Sequence, residues 1–158
     1  MLKAILFDFS RVLLNAKDMH YPDSLNDLYK RLSQNENFNS LDHFEFNKDL
    51  LDFTADFKDQ YDLYIFTTGT IQHDVHFKSV IDKIFKSIFT VEEVGFPKDN
   101  KGAYEFITNQ LFLQPEEVLF IDDSEENIKA ASEAGLKTIK FVATDQTITD
   151  IRALIQVD

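Results

Sequence analysis

Continuous apolar runs of strand length recur along the chain, separated by stretches in which apolar residues return at helical spacing. Such runs are typical of strands buried on both faces of a parallel sheet. The four clear runs span residues 4–7, 63–66, 118–121 and 138–142, and a weaker strand is predicted at 87–89. The pattern therefore predicts a five-stranded parallel sheet.

Helical patterns lie between and after these runs. One of them opens with Ser124, a capping residue, and is followed by Gly135, a common stop. Strands that alternate with helices predict a doubly wound, Rossmann-like α/β fold with helices on both faces of the sheet. The predicted helices span residues 47–59, 100–112, 124–134 and 147–156.

The segment 16–46 departs from this alternation. It holds one short predicted helix, 23–32, then a polar stretch, and then three phenylalanines that we expect to pack rather than bind substrate. We expect a single domain over 1–158, with 16–46 as a short, cap-like insertion over the sheet edge. The phenylalanines are Phe38, Phe44 and Phe46.

Composition narrows the function classes. The chain has no cysteine, which excludes disulfides and cysteine-ligated zinc, and a formal charge of −12. That charge argues against general nucleic-acid binding and against docking on anionic lipid. No apolar stretch is long enough to span a membrane, and the first residues are typical of a strand rather than a signal peptide, so we expect a cytoplasmic protein.

Polar side chains follow the strands at the points where the strands end. Asp8, Thr67 and the pair Asp122–Asp123 come directly after or at the end of buried runs, and Lys98 lies in a following loop. The carboxyl ends of parallel strands meet at one sheet edge. A carboxylate can attack phosphorus, Mg²⁺ can offset the charge, and lysine and threonine can hold phosphate oxygens. The set predicts phosphoryl transfer.

These positions resemble the motifs of the haloacid dehalogenase (HAD) superfamily, and more narrowly of its subfamily I hydrolases. The similarity is clearest over 95–98, which reads GFPK, and over 116–127, which reads EEVLFIDDSEEN. It covers residues 2–14 and about 47–142 and leaves the insertion unmatched. The resemblance implies a hydrolase of the HAD type with a reduced cap.

The resemblance also implies roles for individual residues. Asp8 would be the catalytic nucleophile, and the phosphoryl group would be held by Thr67 and Lys98. Thr68, which stands where many relatives have asparagine, is a further phosphate-binding candidate at the edge of the site. Magnesium would be bound by the carboxylates of Asp8, Asp122 and Asp123 and by the backbone carbonyl of Ser10. Asn127 would support that metal site.

Two further positions depart from the family pattern. Ser10 stands where family phosphatases commonly have a general acid, whose catalysis is worth roughly 10²–10⁴-fold. Arg11 stands where the family often has glycine, and it is either a phosphate anchor or a solvated arginine in a surface turn. We therefore expect slow turnover of esters with poor leaving groups.

The histidines leave further alternatives open. His73 and His76 lie three residues apart in a predicted helix and offer a weak metal-ligand pattern. His20 and His43 belong to the insertion, where either could replace the missing proton donor. Each strand-end residue, taken alone, also has a purely structural interpretation. Asp122 could cap the next helix, and Lys98 could be an ordinary exposed lysine.

The leading prediction is a magnesium-dependent phosphatase that acts through an aspartyl-phosphate on a small or larger phosphorylated substrate. The alternative is a catalytically reduced HAD domain that binds phosphate, metal or a protein partner. A metal-independent dehalogenase is a third interpretation, and the Asp122–Asp123 pair counts against it. The oligomeric state stays open.

Overall fold

Across residues 1–156, which the computed structural model describes, the chain forms seven strands, five of them in one parallel sheet. The strands are β1 (Ala4–Phe7), β2 (Leu14–Ala16), β3 (Phe44–Phe46), β4 (Asp62–Thr67), β5 (Ser87–Thr90), β6 (Val118–Asp122) and β7 (Lys137–Lys140). The sheet order is β5-β4-β1-β6-β7. The last two residues of the predicted domain, Val157 and Asp158, lie outside the described residues.

The predicted parallel α/β architecture is confirmed. β1 is the central strand, it is paired on both sides, and the chain moves from it first to β4 and β5 and later to β6 and β7. Its side chains alternate between the two faces, with Ile5 and Phe7 in one apolar layer and Ala4 and Leu6 in the other. The point where the strand order reverses, between β4 and β6, is where α/β sheets place their ligands.

Helices cover both faces of the sheet. Leu50, Phe77 and Ile151 contribute to the layer on one face, and Ala103 and Ala131 to the layer on the other. Within residues 1–156 no helix is long and apolar enough to cross a membrane. The helices are α1 (Leu25–Leu32), α2 (Lys48–Ala55), α3 (Val75–Ile84), α4 (Val91–Val94), α5 (Lys101–Leu111), α6 (Glu125–Glu133) and α7 (Thr144–Gln156).

Several element boundaries differ from the predicted ones. The helix predicted over 47–59 ends at Ala55, because Asp56 closes it and the next residues form successive tight turns. α7 begins at Thr144, three residues before the predicted start. The short helix α4 opens with a capping box between Thr90 and Glu93.

The insertion is framed by a small antiparallel pair that the sequence pattern did not predict. β2 and β3 pair from Leu14 opposite Phe46 to Ala16 opposite Phe44, so both ends of the segment 16–46 leave the sheet edge together. Phe44 is fully buried against Tyr29 and Phe77. The phenylalanines of the insertion therefore pack, as expected.

Asp74, the residue that caps α3, joins the insertion to the rest of the molecule. Its carboxylate accepts hydrogen bonds from the Tyr29 hydroxyl and the Ser40 hydroxyl, each at 2.9 Å. It also accepts a bond from the backbone N–H of His76. Tyr29 lies on α1 and Ser40 opens a 3₁₀ helix (Ser40–Asp42), so one carboxylate fastens two parts of the insertion.

Candidate active site

The sheet register brings the predicted nucleophile between two neighbouring strand ends. Phe7 is level with Ile65 of β4 and with Ile121 of β6, and the Asp8 N–H donates to the Ile121 carbonyl at 2.8 Å. Asp8 therefore follows the last paired residue of β1, beside Asp122 at the end of β6. Its position is a consequence of strand pairing.

Lys98 lies between two carboxylates and two aromatic rings. Its Nζ is 2.6 Å from Asp8 Oδ1 and 2.6 Å from Asp122 Oδ2, and only 5% of the residue is exposed. The rings of Phe66 and Phe120 have their centroids 5.5 and 5.6 Å from the same nitrogen. The interpretation of Lys98 as an ordinary exposed lysine is therefore wrong.

The backbone that carries Lys98 is fixed by a buried tyrosine. The hydroxyl of Tyr104, which has no exposed surface, donates to the Lys98 carbonyl at 2.6 Å. Tyr104 lies on α5, whose first turn is capped by the Asn100 side chain. The loop before α5 turns at Gly95, whose φ of 80° is a left-handed value that glycine adopts without steric cost.

The two oxygens of Asp122 have different partners. Oδ1 accepts from the Ser124 N–H at 2.8 Å, and Oδ2 accepts from the Asn127 amide at 3.0 Å as well as from Lys98. The cap of α6 itself is Ser124, whose hydroxyl accepts from the Asn127 N–H. Asp122 therefore orients the start of α6 and also belongs to the charged cluster.

Three carboxylates face one another at this edge. Asp8, Asp122 and Asp123 each offer an oxygen, and these oxygens lie within 4.8 Å of one another. With Lys98 as the neighbouring cation, the cluster has a formal charge of −2. An all-oxygen donor set is the kind that Mg²⁺ prefers, and a divalent cation would balance the charge. The residues present therefore fit a hard divalent cation.

Burial and neighbouring charges shift the pKa values of Asp8, Asp123 and Lys98. Burial raises the pKa of Asp8 to about 7, with the Asp122 charge adding to the rise and the Lys98 charge opposing it. Burial and then the Asp122 charge raise the pKa of Asp123. Burial alone would lower the pKa of Lys98, but the carboxylates of Asp8 and Asp122 outweigh it, so the pKa is raised. Lys98 is therefore an ammonium at neutral pH.

An open cavity of about 530 Å³ lies over the cluster. The structure brings every residue predicted for the site into its lining: Asp8, Ser10, Arg11, Thr67, Thr68, Lys98, Asp122, Asp123 and Asn127. It adds lining residues that the sequence analysis did not assign to the site: Ser24, Leu25, Asn26, Pro97, Asp99, Ser124 and Glu126.

For some of the unpredicted lining residues the sequence carries a usable signal, and for others it does not. Glu126 lies in the first turn of α6, and its place shortly after Asp123 is a usable signal in the sequence. Ser24 and Asn26 come from the insertion, where nothing in the local pattern points towards Asp8. Their placement depends on how α1 packs.

Ser10 and Arg11 follow Asp8 in a tight turn. The hydroxyl of Ser10 is buried without a hydrogen-bond partner in the described part of the chain. Arg11 has a φ of 66°, a left-handed value that explains why glycine suits this position. Its guanidinium donates to the backbone carbonyls of Tyr21 and Asp23. Arg11 is therefore not a solvated surface arginine. Because it holds the start of the insertion, binding phosphate cannot be its only role.

The histidine alternatives are not supported by the geometry. His73 lies in a 3₁₀ helix (Ile71–His73) and His76 in α3, so the two do not share a helix. In residues 1–156 no group of three potential metal ligands includes a histidine. His20 and His43 do not line the cavity, so neither is placed as a replacement proton donor.

Comparison with known proteins identifies the family. The model of the haloacid dehalogenase-like hydrolases matches residues 23–141, about three quarters of the chain. The chain belongs to this family. The match to the haloacid dehalogenase-like hydrolases includes part of the insertion and begins after Asp8 and Ser10, so the assignment of those two residues depends on the geometry described above.

Curated haloacid dehalogenase-like relatives match parts of the chain. Enolase-phosphatase E1 of Aquifex aeolicus is 34% identical over 87 residues, which is 51% of this chain and 37% of that protein. Enolase-phosphatase E1 of Shewanella woodyi is 50% identical over 42 residues, which is 27% of this chain and 19% of that protein. The chain spans about a third or less of the length of these relatives.

Solved structures confirm the fold of a haloacid dehalogenase-like hydrolase. A HAD-like family hydrolase from Porphyromonas gingivalis superposes with a TM-score of 0.71 at 19% identity, over 98% of both chains. A HAD family enzyme from Bacteroides thetaiotaomicron, solved with magnesium and inorganic phosphate, gives 0.64 at 18% identity, over 90% of this chain and 96% of that one. A subfamily IA hydrolase from Geobacter sulfurreducens gives 0.65 at 14% identity, over 88% and 86%.

Proposed function

We propose that the protein is a magnesium-dependent phosphatase that hydrolyses a phosphate monoester through an aspartyl-phosphate on Asp8. The observation that carries this proposal is the charged cluster at the strand ends. A carboxylate lies 2.6 Å from a buried ammonium, two further carboxylates lie beside it, and all four groups line one open cavity. Such a cluster suits a reaction in which negative charge accumulates on phosphate oxygens.

The first chemical step is attack by an Asp8 carboxylate oxygen on phosphorus. The bond between phosphorus and the ester oxygen breaks, and the alcohol leaves with a proton taken from solvent. Lys98 and the Thr67 hydroxyl hold the oxygens of the phosphoryl group while its charge shifts. Thr67 is 2% exposed, so its hydroxyl is presented from a fixed strand end.

The second step returns the nucleophile. Water attacks the phosphorus of the aspartyl-phosphate, the bond between phosphorus and the Asp8 oxygen breaks, and inorganic phosphate is released. Lys98 stays in place because its ammonium is held by Asp122 and by the two aromatic rings whatever the state of Asp8.

Magnesium is the cofactor that we assign to the cluster. Asp8, Asp122 and Asp123, with the backbone carbonyl of Ser10, would hold it, and the Asn127 amide would keep Asp122 oriented. When bound, the ion offsets the repulsion between the carboxylates and the incoming phosphate. The magnesium and phosphate complex of the Bacteroides thetaiotaomicron neighbour supports this assignment.

Ser10 limits the range of alcohols that can leave. A serine hydroxyl does not donate a proton near neutral pH as a carboxylic acid does, so the departing oxygen receives no help from this position. Turnover should therefore be fastest for esters whose leaving group is already a weak base. The names of the curated relatives, enolase-phosphatase E1, support phosphate-ester hydrolysis in general.

The deciding experiment compares wild type with Asp8→Asn on para-nitrophenyl phosphate, with and without Mg²⁺. We expect magnesium-dependent release of nitrophenol by wild type and a loss of at least about 10³-fold in the variant, because an amide is not a nucleophile towards phosphorus. Asp145→Asn, an exposed change in the first turn of α7, is the matched control and should keep full activity.

The alternative function, a phosphate- or metal-binding module without turnover, makes a different prediction for the same samples. It expects no hydrolysis by folded wild type that still binds Mg²⁺ by calorimetry. Full activity of Asp8→Asn would contradict the aspartyl-phosphate mechanism itself.

A further inference from the structure

We infer that Asn26, which the insertion brings to the cavity, binds the alcohol part of the substrate and at the binding step favours esters of uncharged, polar alcohols such as polyols, which turn over slowly because Ser10 supplies no proton. This inference depends on the proposed phosphatase function and specifies its substrate class. It concerns lining residues of the cavity to which the proposed function gives no role.

The Asn26 side chain lies directly on the backbone that carries the phosphate-binding threonines. A Cβ atom added to Gly69 would lie 1.7 Å from the Asn26 Oδ1. Position 69 therefore has room for this amide only because it is glycine. Gly69 comes directly after Thr67 and Thr68, and Asn26 lines the same cavity as both.

The Asn26 amide is available to a ligand. The residue is half-buried, and within the described part of the chain its side chain makes no hydrogen bond to protein. Its neighbour Ser24 is different, because the Ser24 hydroxyl caps α1 by accepting from the Asp27 N–H. An amide has two donors and a carbonyl acceptor, which match hydroxyl and carbonyl groups.

Two fastenings hold Asn26 in place. On one side, Arg11 donates to the carbonyls of Tyr21 and Asp23, just before α1 begins. On the other side, Tyr29 lies one turn after Asn26 on α1 and donates to Asp74 at 2.9 Å. Asn26 lies between these contacts, so its backbone is held at the cavity before the substrate arrives, and its amide packs against Gly69.

The remaining lining determines the kind of alcohol. Only Leu25 and Pro97 are apolar among the lining residues, and Leu25 is 2% exposed. Asp99 and Glu126 add negative charge to the lining, which disfavours a leaving group that is itself an anion. A polar, uncharged alcohol satisfies both conditions and gives the Asn26 amide a partner.

The test measures inhibition of para-nitrophenyl phosphate hydrolysis by glycerol phosphate and by inorganic phosphate. We expect wild type to bind glycerol phosphate more tightly than inorganic phosphate, and Asn26→Ala to lose about two- to tenfold of that preference, the value of one neutral hydrogen bond. Gly69→Ala should cause the same loss, because its methyl group displaces the amide without altering residue 26.

The control is Asn37→Ala, which removes an exposed amide elsewhere in the insertion and should leave the preference unchanged. Thermal melts establish that each variant is folded. Absence of any aryl phosphate hydrolysis by wild type would overturn the proposed function and this inference with it. Hydrolysis without a preference for glycerol phosphate, or a preference that Asn26→Ala retains, would overturn only the role of Asn26.

Discussion

The strand-end cluster and the insertion reach the same cavity by different physical means. The cluster is held by the sheet: Asp8 and Asp122 end paired neighbouring strands, and Lys98 is buried between them. The insertion instead reaches the cavity through α1, which packs Leu25 and Leu28 into the core and is held by polar contacts, chiefly those of Asp74 and Arg11.

This difference separates the chemistry from the choice of substrate. Strand pairing cannot change without loss of the core, so the groups that act on phosphorus are fixed with the fold. Hydrogen bonds to loop carbonyls and to one carboxylate can be changed singly, at a cost of about 1–3 kcal/mol each. We therefore expect that substrate selection can vary while the proposed phosphate site stays the same.

The largest effect should follow from removal of the buried ammonium. Lys98→Met leaves the carboxylates of Asp8 and Asp122 without their cation, so we expect loss of activity and about 3–5 kcal/mol less stability by urea denaturation. Added Mg²⁺ should restore part of that stability. Lys101→Met is the control: it removes an exposed lysine paired with Glu105 and should change the stability by no more than about 0.5 kcal/mol.

Equal stability of Lys98→Met and Lys101→Met would show that the cluster is not held together by its charges. The proposed difference between the strand-end cluster and the insertion would then be wrong, because both would depend on contacts whose removal costs little stability.

The second effect concerns Ser10, which lies along the chain between Asp8 of the strand-end cluster and the insertion. Ser10→Asp should raise kcat for an alkyl phosphate by about 10²–10⁴-fold, because it restores a proton donor to the departing oxygen. The rate with para-nitrophenyl phosphate should change much less. Ser10→Asn has the same shape without the proton, and an equal gain in that variant would contradict the interpretation.

The smallest of these effects tests the fastening of the insertion. Asp74→Asn should cost about 1–3 kcal/mol at neutral pH, because the amide cannot accept all the bonds that the carboxylate accepts from Tyr29, Ser40 and His76. Asp82→Asn, which alters an exposed pair with Lys78 on the same helix, is the control.

The cost of Asp74→Asn should also depend on pH. Burial alone would raise the pKa of Asp74, but hydrogen bonds from His76, Tyr29 and Ser40 outweigh it and lower the pKa below 3.8. A carboxyl group with a lowered pKa stabilises the fold above that value, and the stabilisation is lost as the pH falls through the folded-state pKa. The difference between wild type and Asp74→Asn should therefore shrink below about pH 4. A difference that stays constant down to about pH 2 would exclude this origin.

The parts of the fold that could be predicted are those in which apolar residues form a continuous run. Residues 4–7 form a continuous apolar run, and β1 has those bounds. β2 and β3 have three residues each, which is too short for any periodicity to appear. The end of α2 was also missed, because Phe57 continues the helical spacing although the backbone has already turned.

The candidate site divides in the same way. Asp8, Thr67, Lys98 and Asp122 could be placed together because parallel strands end at one edge. The contacts of Arg11 could not, because backbone carbonyls are its partners and these leave no mark in the sequence. Asn26 reaches the cavity only through the packing of α1, which depends on Gly69 and Asp74, more than forty residues away along the chain.

The ion pair between Lys98 and Asp8 joins residues that are 90 positions apart. Contacts of such long sequence separation form late in folding, after the loop between them has been closed. The growing chain must also complete β6 before Asp122 can join the pair. The proposed phosphate site therefore cannot assemble before β6 has been synthesised, and magnesium binding would report on the pairing of β1 with β6.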